Sequence, residues 1–143
     1  MRPLLVTLCV VALAPAAPVP KGVKKASDVE LLVGTWKCFN ENGQEGRNVF
    51  LQTFVFEPGG RLRMIDRDGH ESAWTWTVDP VQSPKRMGWV ANPPSSGRSD
   101  CVYQLDGDSL KVAFVLRGRE QPEQLDASQG YFVYQMTRDT SGK

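Results

Sequence analysis

The sequence lacks the features that mark several large functional classes. Its 17 basic and 16 acidic residues leave a formal net charge of +1, which argues against a general binder of nucleic acid or other polyanions. The apolar run at residues 4–14 is too short to cross a bilayer as a helix. There is no Gly-x-Ser-x-Gly elbow, and the adjacent Ser95 and Ser96 lie in a loop rich in proline and glycine. We therefore predict that the protein is not an enzyme and has no nucleic-acid partner.

The N-terminal residues have the three parts of a secretory signal. Arg2 gives a positive start, residues 4–14 are apolar, and Pro15-Ala16-Ala17 is a small-residue cleavage site. We place cleavage after Ala16, because a cut one residue later would put Pro18 beside the scissile bond. We thus expect an extracytoplasmic protein, periplasmic or secreted, with no membrane span in its mature form. The predicted divisions are a signal peptide (1–16), a flexible N-terminal segment (17–25), one β-barrel domain (26–139) and a tail (140–143).

Cleavage of the signal also simplifies the cysteine chemistry. It removes Cys9 and leaves Cys38 and Cys101, which with the single histidine His70 are too few for a zinc site. We predict no metal and no cofactor. An even number of cysteines in an oxidising compartment allows a disulfide, and closing the 62 residues between them would contribute roughly 4 kcal/mol. Two separately buried thiols are the alternative that we favour.

The pattern of residues 101–115 predicts a complete β-hairpin. Large apolar residues alternate with Gln104 before Asp106-Gly107, a pair typical of tight hairpin turns, and with Lys111 and Ala113 after it. The same alternation recurs along the chain, after one helical turn that Ser27 and Glu30 open as a capping box. The predicted strands are 35–39, 49–57 (with Phe50, Phe54 and Phe56 inward), a strand around Leu62 and Met64, 71–78, 86–91, the two strands of the hairpin, and 131–138.

Eight successive strands joined mostly by short turns indicate an all-β, antiparallel up-and-down meander. Such a sheet leaves two edges unless it closes, and eight strands is the number at which a small barrel closes around a side-chain-sized interior. We therefore favour an eight-stranded barrel over a sandwich. The longest connection, residues 116–130, carries Arg117, Arg119, Glu120 and Glu123. It is predicted to be a lid over the barrel mouth, a partner-binding edge, or a solvated connection without a partner.

Several segments, in their order along the chain, resemble a known family. Gly34-Thr35-Trp36 is similar to the Gly-x-Trp opening of lipocalins, in which the tryptophan closes the base of the barrel. The whole domain resembles a lipocalin-like bacterial domain without assigned activity, which is expanded in planctomycete-type bacteria. The resemblance implies a lipocalin or calycin-like fold and a cavity, and it brings no catalytic residues. Ala113 departs from it, because the family often has cysteine there. The matching segments are Val33-Gly34-Thr35-Trp36-Lys37, Phe54-Val55-Phe56, Thr77-Val78-Asp79-Pro80, 103–111 and Arg119-Glu120-Gln121-Pro122-Glu123.

The residues predicted to face inward are mostly large and apolar. They could form the walls of a cavity, with Tyr103, Tyr134 and Gln52 as polar handles, or they could fill the barrel and leave no room. The candidate ligand-binding residues are Trp36, Phe54, Phe56, Met64, Trp74, Trp76, Trp89, Tyr103, Phe114 and Tyr134.

One turn carries residues that also occur in metal sites. Asp66, Asp68, His70 and Glu71 fall within six residues, from 66 to 71, but the later ligands of a calcium-binding loop are missing and Asp68-Gly69 is a hairpin turn pair. We interpret the segment as a turn.

These observations lead to one leading hypothesis and one alternative. The leading hypothesis is a secreted, non-enzymatic lipocalin-like barrel that binds a small apolar or amphipathic ligand in its interior. The alternative is a filled barrel that acts through its outer surface as a protein-interaction or inhibitor module, with a protein partner in the cell envelope.

Overall fold

The computed structural model of this chain describes residues 25–46, 49–92, 97–115, 122–126 and 131–141. Its first element is the short helix α1, Asp28–Leu32. Ser27 Oγ accepts a hydrogen bond from the Glu30 backbone N–H at 3.4 Å, and the Glu30 carboxylate accepts one from the Ser27 backbone N–H at 2.7 Å. This reciprocal pair is the predicted capping box, which the structure confirms.

Antiparallel strands make up the rest of the described fold. Each strand pairs with its neighbours along the chain, except that β3 pairs with β1 and the two-residue β2 only extends β1. The last strand, β9, pairs back onto β1 and closes an eight-stranded barrel, so the predicted all-β, up-and-down barrel is confirmed. The strands are β1 Gly34–Glu41, β2 Gln44–Glu45, β3 Leu51–Glu57, β4 Arg61–Asp66, β5 Glu71–Asp79, β6 Arg86–Ala91, β7 Arg98–Asp106, β8 Ser109–Phe114 and β9 Phe132–Arg138.

The hairpin that the sequence predicted most clearly is β7 with β8. Asp106 pairs with Ser109 across the turn, and Gly107 has φ of +56°, a conformation that residues with a Cβ seldom adopt. The strand β7 begins at Arg98 rather than at the predicted residue 101, because residues 98–100 pair with β6. The barrel wall is therefore three residues taller here than the alternation alone indicated.

The position of α1 distinguishes the two ends of the barrel. We call the base the end at which α1 lies, β1 begins and β9 ends, and the mouth the opposite end. The connections at residues 58–60, 80–85 and 107–108 lie at the base, whereas β6 and β8 end at the mouth.

Nearly all of the residues predicted to face inward are buried in the core. Trp74 is half-buried and packs against the core from the mouth. The buried members of the candidate set are Trp36, Phe54, Phe56, Met64, Trp76, Trp89, Tyr103, Phe114 and Tyr134.

The prediction for Phe50 was wrong. Its side chain is 48% exposed, whereas its neighbour Val49 is fully buried. The reason is an irregularity in the pairing of β3 with β4, where the register shifts between Leu51 and Thr53. Such a bulge interrupts the strict alternation of faces, so counting by twos from Phe54 back to Phe50 gives the wrong side.

Part of the outer surface is also apolar and covered. Val102, Ala113 and Val133 pair across β7, β8 and β9, and all three are buried outside the barrel wall, under Leu125 and Tyr131. The described part of the long connection, 122–126, thus lies on the outer face of the sheet. Its residues 116–121 and 127–130 lie outside the described part of the chain, so the predicted Arg117, Arg119 and Glu120 cannot be placed, whereas Glu123 is exposed.

Candidate functional site

Four aromatic rings contact one another in a closed circuit in the barrel interior. The ring centroids of Phe54 and Trp89 are 6.0 Å apart, those of Trp89 and Phe114 5.7 Å, those of Phe114 and Tyr134 5.3 Å, and those of Tyr134 and Phe54 5.3 Å. These are ordinary packing distances for aromatic pairs. Because the rings come from β3, β6, β8 and β9, on different sides of the wall, their closed circuit bridges the interior.

The rings on either side of this circuit continue the packing. Phe132 stacks on Phe114 with centroids 5.3 Å apart, and the edge of Trp76 meets Phe56 at 5.2 Å. The indole N–H of Trp76 donates to the Arg61 carbonyl at 3.1 Å. In the part of the chain that the structure describes, no buried side-chain nitrogen or oxygen lacks a hydrogen-bond partner. The interior therefore offers a ligand no unused polar group among these residues.

Tyr103, predicted as a polar handle, is tied to the base instead. Its hydroxyl donates to the Asp28 carboxylate at 2.7 Å, and the same carboxylate oxygen accepts a hydrogen bond from Lys85 Nζ at 2.7 Å. Burial opposes ionisation of Asp28, but the hydrogen bonds from Lys85 and Tyr103 outweigh it, so its pKa lies below the usual value of 3.8. Burial and the neighbouring Asp28 raise the pKa of Tyr103. This cluster anchors helix α1 across the base.

The second predicted handle, Tyr134, lies near two thiols and a carboxylate. Burial raises the pKa of Tyr134, and Glu41 and the thiols of Cys38 and Cys101 raise it further. Burial also raises the pKa of Cys38 to about 12 and that of Cys101 well above its usual value. Both sulfurs are therefore protonated near neutral pH, which removes the nucleophilic thiolate form.

The structure holds Cys38 and Cys101 as two separate thiols and not as a disulfide. The Cys38 thiol donates to the Asn40 carbonyl at 3.3 Å, and the Cys101 thiol donates to the Ser99 carbonyl at 3.8 Å. Each thiol therefore has its own backbone partner within two residues of the same strand.

A residue that sequence reasoning missed lies at the base. The guanidinium carbon of Arg138 is 4.2 Å from the centre of the Trp36 ring, and its nitrogens donate to the carbonyls of Val33, at 3.0 Å, and of Leu31. A further hydrogen bond joins Arg138 to the Asp108 carboxylate at 2.9 Å. The available signal was the register of β9, because Arg138 continues the inward alternation of the strand with a charged residue.

Trp36 lies at the base, beneath the guanidinium of Arg138. It is fully buried near the start of β1, and its indole N–H donates to the Leu32 carbonyl of α1 at 2.8 Å. The helix, the tryptophan and Arg138 together close the base.

The turn between β4 and β5 brings three potential metal ligands together. Ligand atoms of Asp66, Asp68 and His70 lie within 4.8 Å of one another. However, Asp66 Oδ1 accepts hydrogen bonds from the backbone N–H groups of Asp68 and His70, each at 2.9 Å, and Asp66 Oδ2 lies 3.2 Å from His70 Nδ1. The cluster therefore builds the hairpin turn, as the sequence indicated.

Three depressions lie on the outer surface of the described residues. One, of about 160 Å³, lies over Gly88 between Arg86, Arg98 and Asp100, and its Arg98 and Asp100 are paired with each other at 3.2 Å. A second, of about 440 Å³, lies at the base beside Leu31 and Arg138. The third, of about 150 Å³, lies beside Phe39 on the wall formed by β1, β9, β8 and β7.

Comparison with known protein families, with curated proteins and with solved structures gives no match for this chain. In the described part of the chain, no helix has the length and apolar character needed to cross a membrane.

Proposed function

We propose that this protein is a secreted, non-enzymatic, lipocalin-like barrel that acts through its outer surface as an interaction or inhibitor module in the cell envelope. The observation that carries the proposal is the closed circuit of Phe54, Trp89, Phe114 and Tyr134, whose rings bridge the interior at packing distance. A ligand there would have to displace rings that already contact one another. This supports the filled barrel over the interior cavity that the sequence made the leading hypothesis.

The polar groups of the interior support the same choice. Small-molecule sites usually combine apolar walls with a few polar groups directed at the ligand. Here the Tyr103 hydroxyl is engaged by Asp28 and the Tyr134 hydroxyl by Glu41. The lipocalin-like assignment is supported by Gly34-Thr35-Trp36 at the start of β1, with the tryptophan closing the base as the resemblance implies. The assignment to the cell envelope depends on the signal-like pattern of residues 1–16.

The test is a titration of the mature protein with an apolar dye and with a fatty acid, followed by tryptophan emission. A filled interior predicts no saturable uptake and no shift in emission. Native mass spectrometry of the exported protein, recovered without a denaturing step, should then give the mass of the chain alone.

The variant Trp89→Ala provides the matched control. Removing a buried ring from the circuit leaves a cavity, costs about 3–5 kcal/mol of stability, and should create dye uptake that the wild type lacks. If this variant fails to fold, Phe54→Leu removes less volume and serves the same purpose. Saturable uptake by the wild type, weakened by either substitution, would instead establish an interior site and refute the proposal.

A further inference from the structure

An aromatic ring of β1 faces outward beside an irregularity in the barrel wall. On β1, Cys38 pairs with Met136 and Asn40 pairs with Gln135, which are adjacent on β9. Phe39 is therefore the extra residue of a β-bulge, and it faces outward because Trp36 and Cys38 on the same strand face the core. Its ring is 43% exposed on the outer face of the wall, beside the third of the depressions described above.

A row of polar side chains continues across the wall from this ring. Gln135 pairs with Lys111, and Lys111 pairs with Gln104. At the usual strand separation, the row is about 10 Å long. The side chains of Gln104, Lys111 and Gln135 form no hydrogen bond or ion pair with any of the described residues. The row therefore presents amide donors and acceptors and an ammonium group whose hydrogen-bonding capacity is unused among the described residues.

The adjacent row on the same three strands is different. Two residues nearer the mouth, Val102, Ala113 and Val133 are buried under Leu125 and Tyr131. The covering segment therefore protects the apolar row and leaves the polar row open, with the depression of about 150 Å³ between the row and Phe39.

The chemistry of this depression selects one class of ligand. The ring of Phe39 offers an apolar face, and the two glutamines offer donors and acceptors for hydroxyl groups. The charges that line it, Lys111 and Asp106, cancel, so it favours neither an anion nor a cation. A purely apolar ligand would leave the amides without hydrogen-bond partners, which is costly. A molecule with an apolar C–H face and a rim of hydroxyl groups satisfies every group present.

We propose that this depression binds a neutral saccharide unit that stacks on Phe39 and hydrogen-bonds to Gln104, Lys111 and Gln135. The size of the depression suits a sugar ring, whereas a protein partner needs about 800 Å² of contact surface. The proposal goes beyond the proposed function, because it assigns a small-molecule site to the outer surface in addition to any surface that contacts a protein.

The test is affinity electrophoresis of the mature protein through native gels that contain laminarin, dextran, galactomannan or xylan. At least one of these neutral polysaccharides should retard the wild type, and the retardation should persist at high salt because no net charge is involved. Phe39→Ala should weaken the binding about tenfold or more, as expected for loss of an aromatic anchor. Phe50→Ala is the matched control, because this phenylalanine is also exposed but does not line the depression.

Nuclear magnetic resonance then locates the site. Side-chain amide signals of Gln104 and Gln135 should shift when the retarding sugar is added to the isotope-labelled mature protein. Absence of retardation by all four polysaccharides, or equal retardation of the wild type and Phe39→Ala, would overturn the proposal. Signals at Gln104 and Gln135 that move only with an envelope protein would also overturn it, in favour of a protein partner. Dye uptake by the wild type would refute the filled interior without changing any of these results.

Discussion

Replacing Arg138 tests whether the base of the barrel is held by one side chain. Its guanidinium lies over Trp36 at 4.2 Å and donates to the carbonyl of Val33 at 3.0 Å, and its side chain is only 18% exposed. Leucine at this position keeps the apolar stem but removes every one of these polar contacts. Lysine keeps the charge and loses the planar fork that reaches several acceptors at once.

The expected loss of folding stability can be estimated from the individual contacts of Arg138. A partly desolvated cation–π contact contributes about 1–2 kcal/mol, and a hydrogen bond from a charged group about 1.5–3 kcal/mol. Such contributions from one side chain do not simply add, and the bond to Asp108 is discounted because that carboxylate is 72% exposed. We expect Arg138→Leu to lower the free energy of unfolding by about 2–3 kcal/mol, and Arg138→Lys by about half as much.

Urea denaturation followed by tryptophan fluorescence measures this loss. At typical slopes, the midpoint for Arg138→Leu should fall by about 1–2 M. Arg63→Leu is the matched control, because Arg63 also pairs with two acidic groups, Glu57 at 2.7 Å and Glu71 at 3.1 Å, but on the barrel surface, where such pairs contribute under about 1 kcal/mol. If both substitutions cost the same, Arg138 is an ordinary surface residue and the reasoning fails.

Two further predictions concern ionisable groups. The pKa of Asp28 is lowered in the folded state, so the contribution of this carboxylate to stability is present above the usual carboxyl value of 3.8 and is lost as pH falls through the folded-state pKa. Asp28→Asn should therefore flatten the fall in the urea midpoint on acidification. Parallel pH profiles of the variant and the wild type would contradict this. The pKa of Cys38 is raised to about 12, and that of Cys101 is also raised. Neither thiol of the mature protein should therefore react with a disulfide reagent near pH 8 until denaturant is added. Stoichiometric labelling of the native protein, measured by mass, would disprove this.

The barrel was predictable because its signals are local. Alternation of faces depends only on the extended backbone, and Asp106-Gly107 specifies its turn through the conformation of two residues. Strands around Trp89 and Phe114 could thus be assigned from neighbouring residues alone. Closure of β9 onto β1 followed from the number of strands rather than from any one of them.

The errors have a different origin, since they depend on contacts between distant parts of the chain. The side that Phe50 faces is set by a register shift against β4, and the phase of β1 beyond Phe39 is set by a bulge against β9. Neither shift can be read from the strand that contains it. The position of Arg138 over Trp36 likewise joins residues about one hundred positions apart. The candidate saccharide site was missed for the same reason.

The covered outer face had a visible signal. Cys101-Val102-Tyr103 and Val112-Ala113-Phe114-Val115 are continuous apolar runs, the pattern of strands buried on both faces. Alternation within the hairpin indicates only which residues face the interior. The apolar runs predict that something must cover the outside of β7 and β8, which the segment 122–126 does.

Closure of β1 against β9 also fixes where the domain could be cut. The Asp139 backbone N–H donates to the Thr35 carbonyl at 2.8 Å, and α1 crosses the same base to Lys85, so both ends of the folded domain lie at the base. A linker across the base could join them without crossing the wall. The turn at Asp68-Gly69, at the mouth and exposed, then becomes a natural position for new termini. The barrel thus does not depend on where the chain begins and ends, and a circular permutant would keep every strand pairing described above.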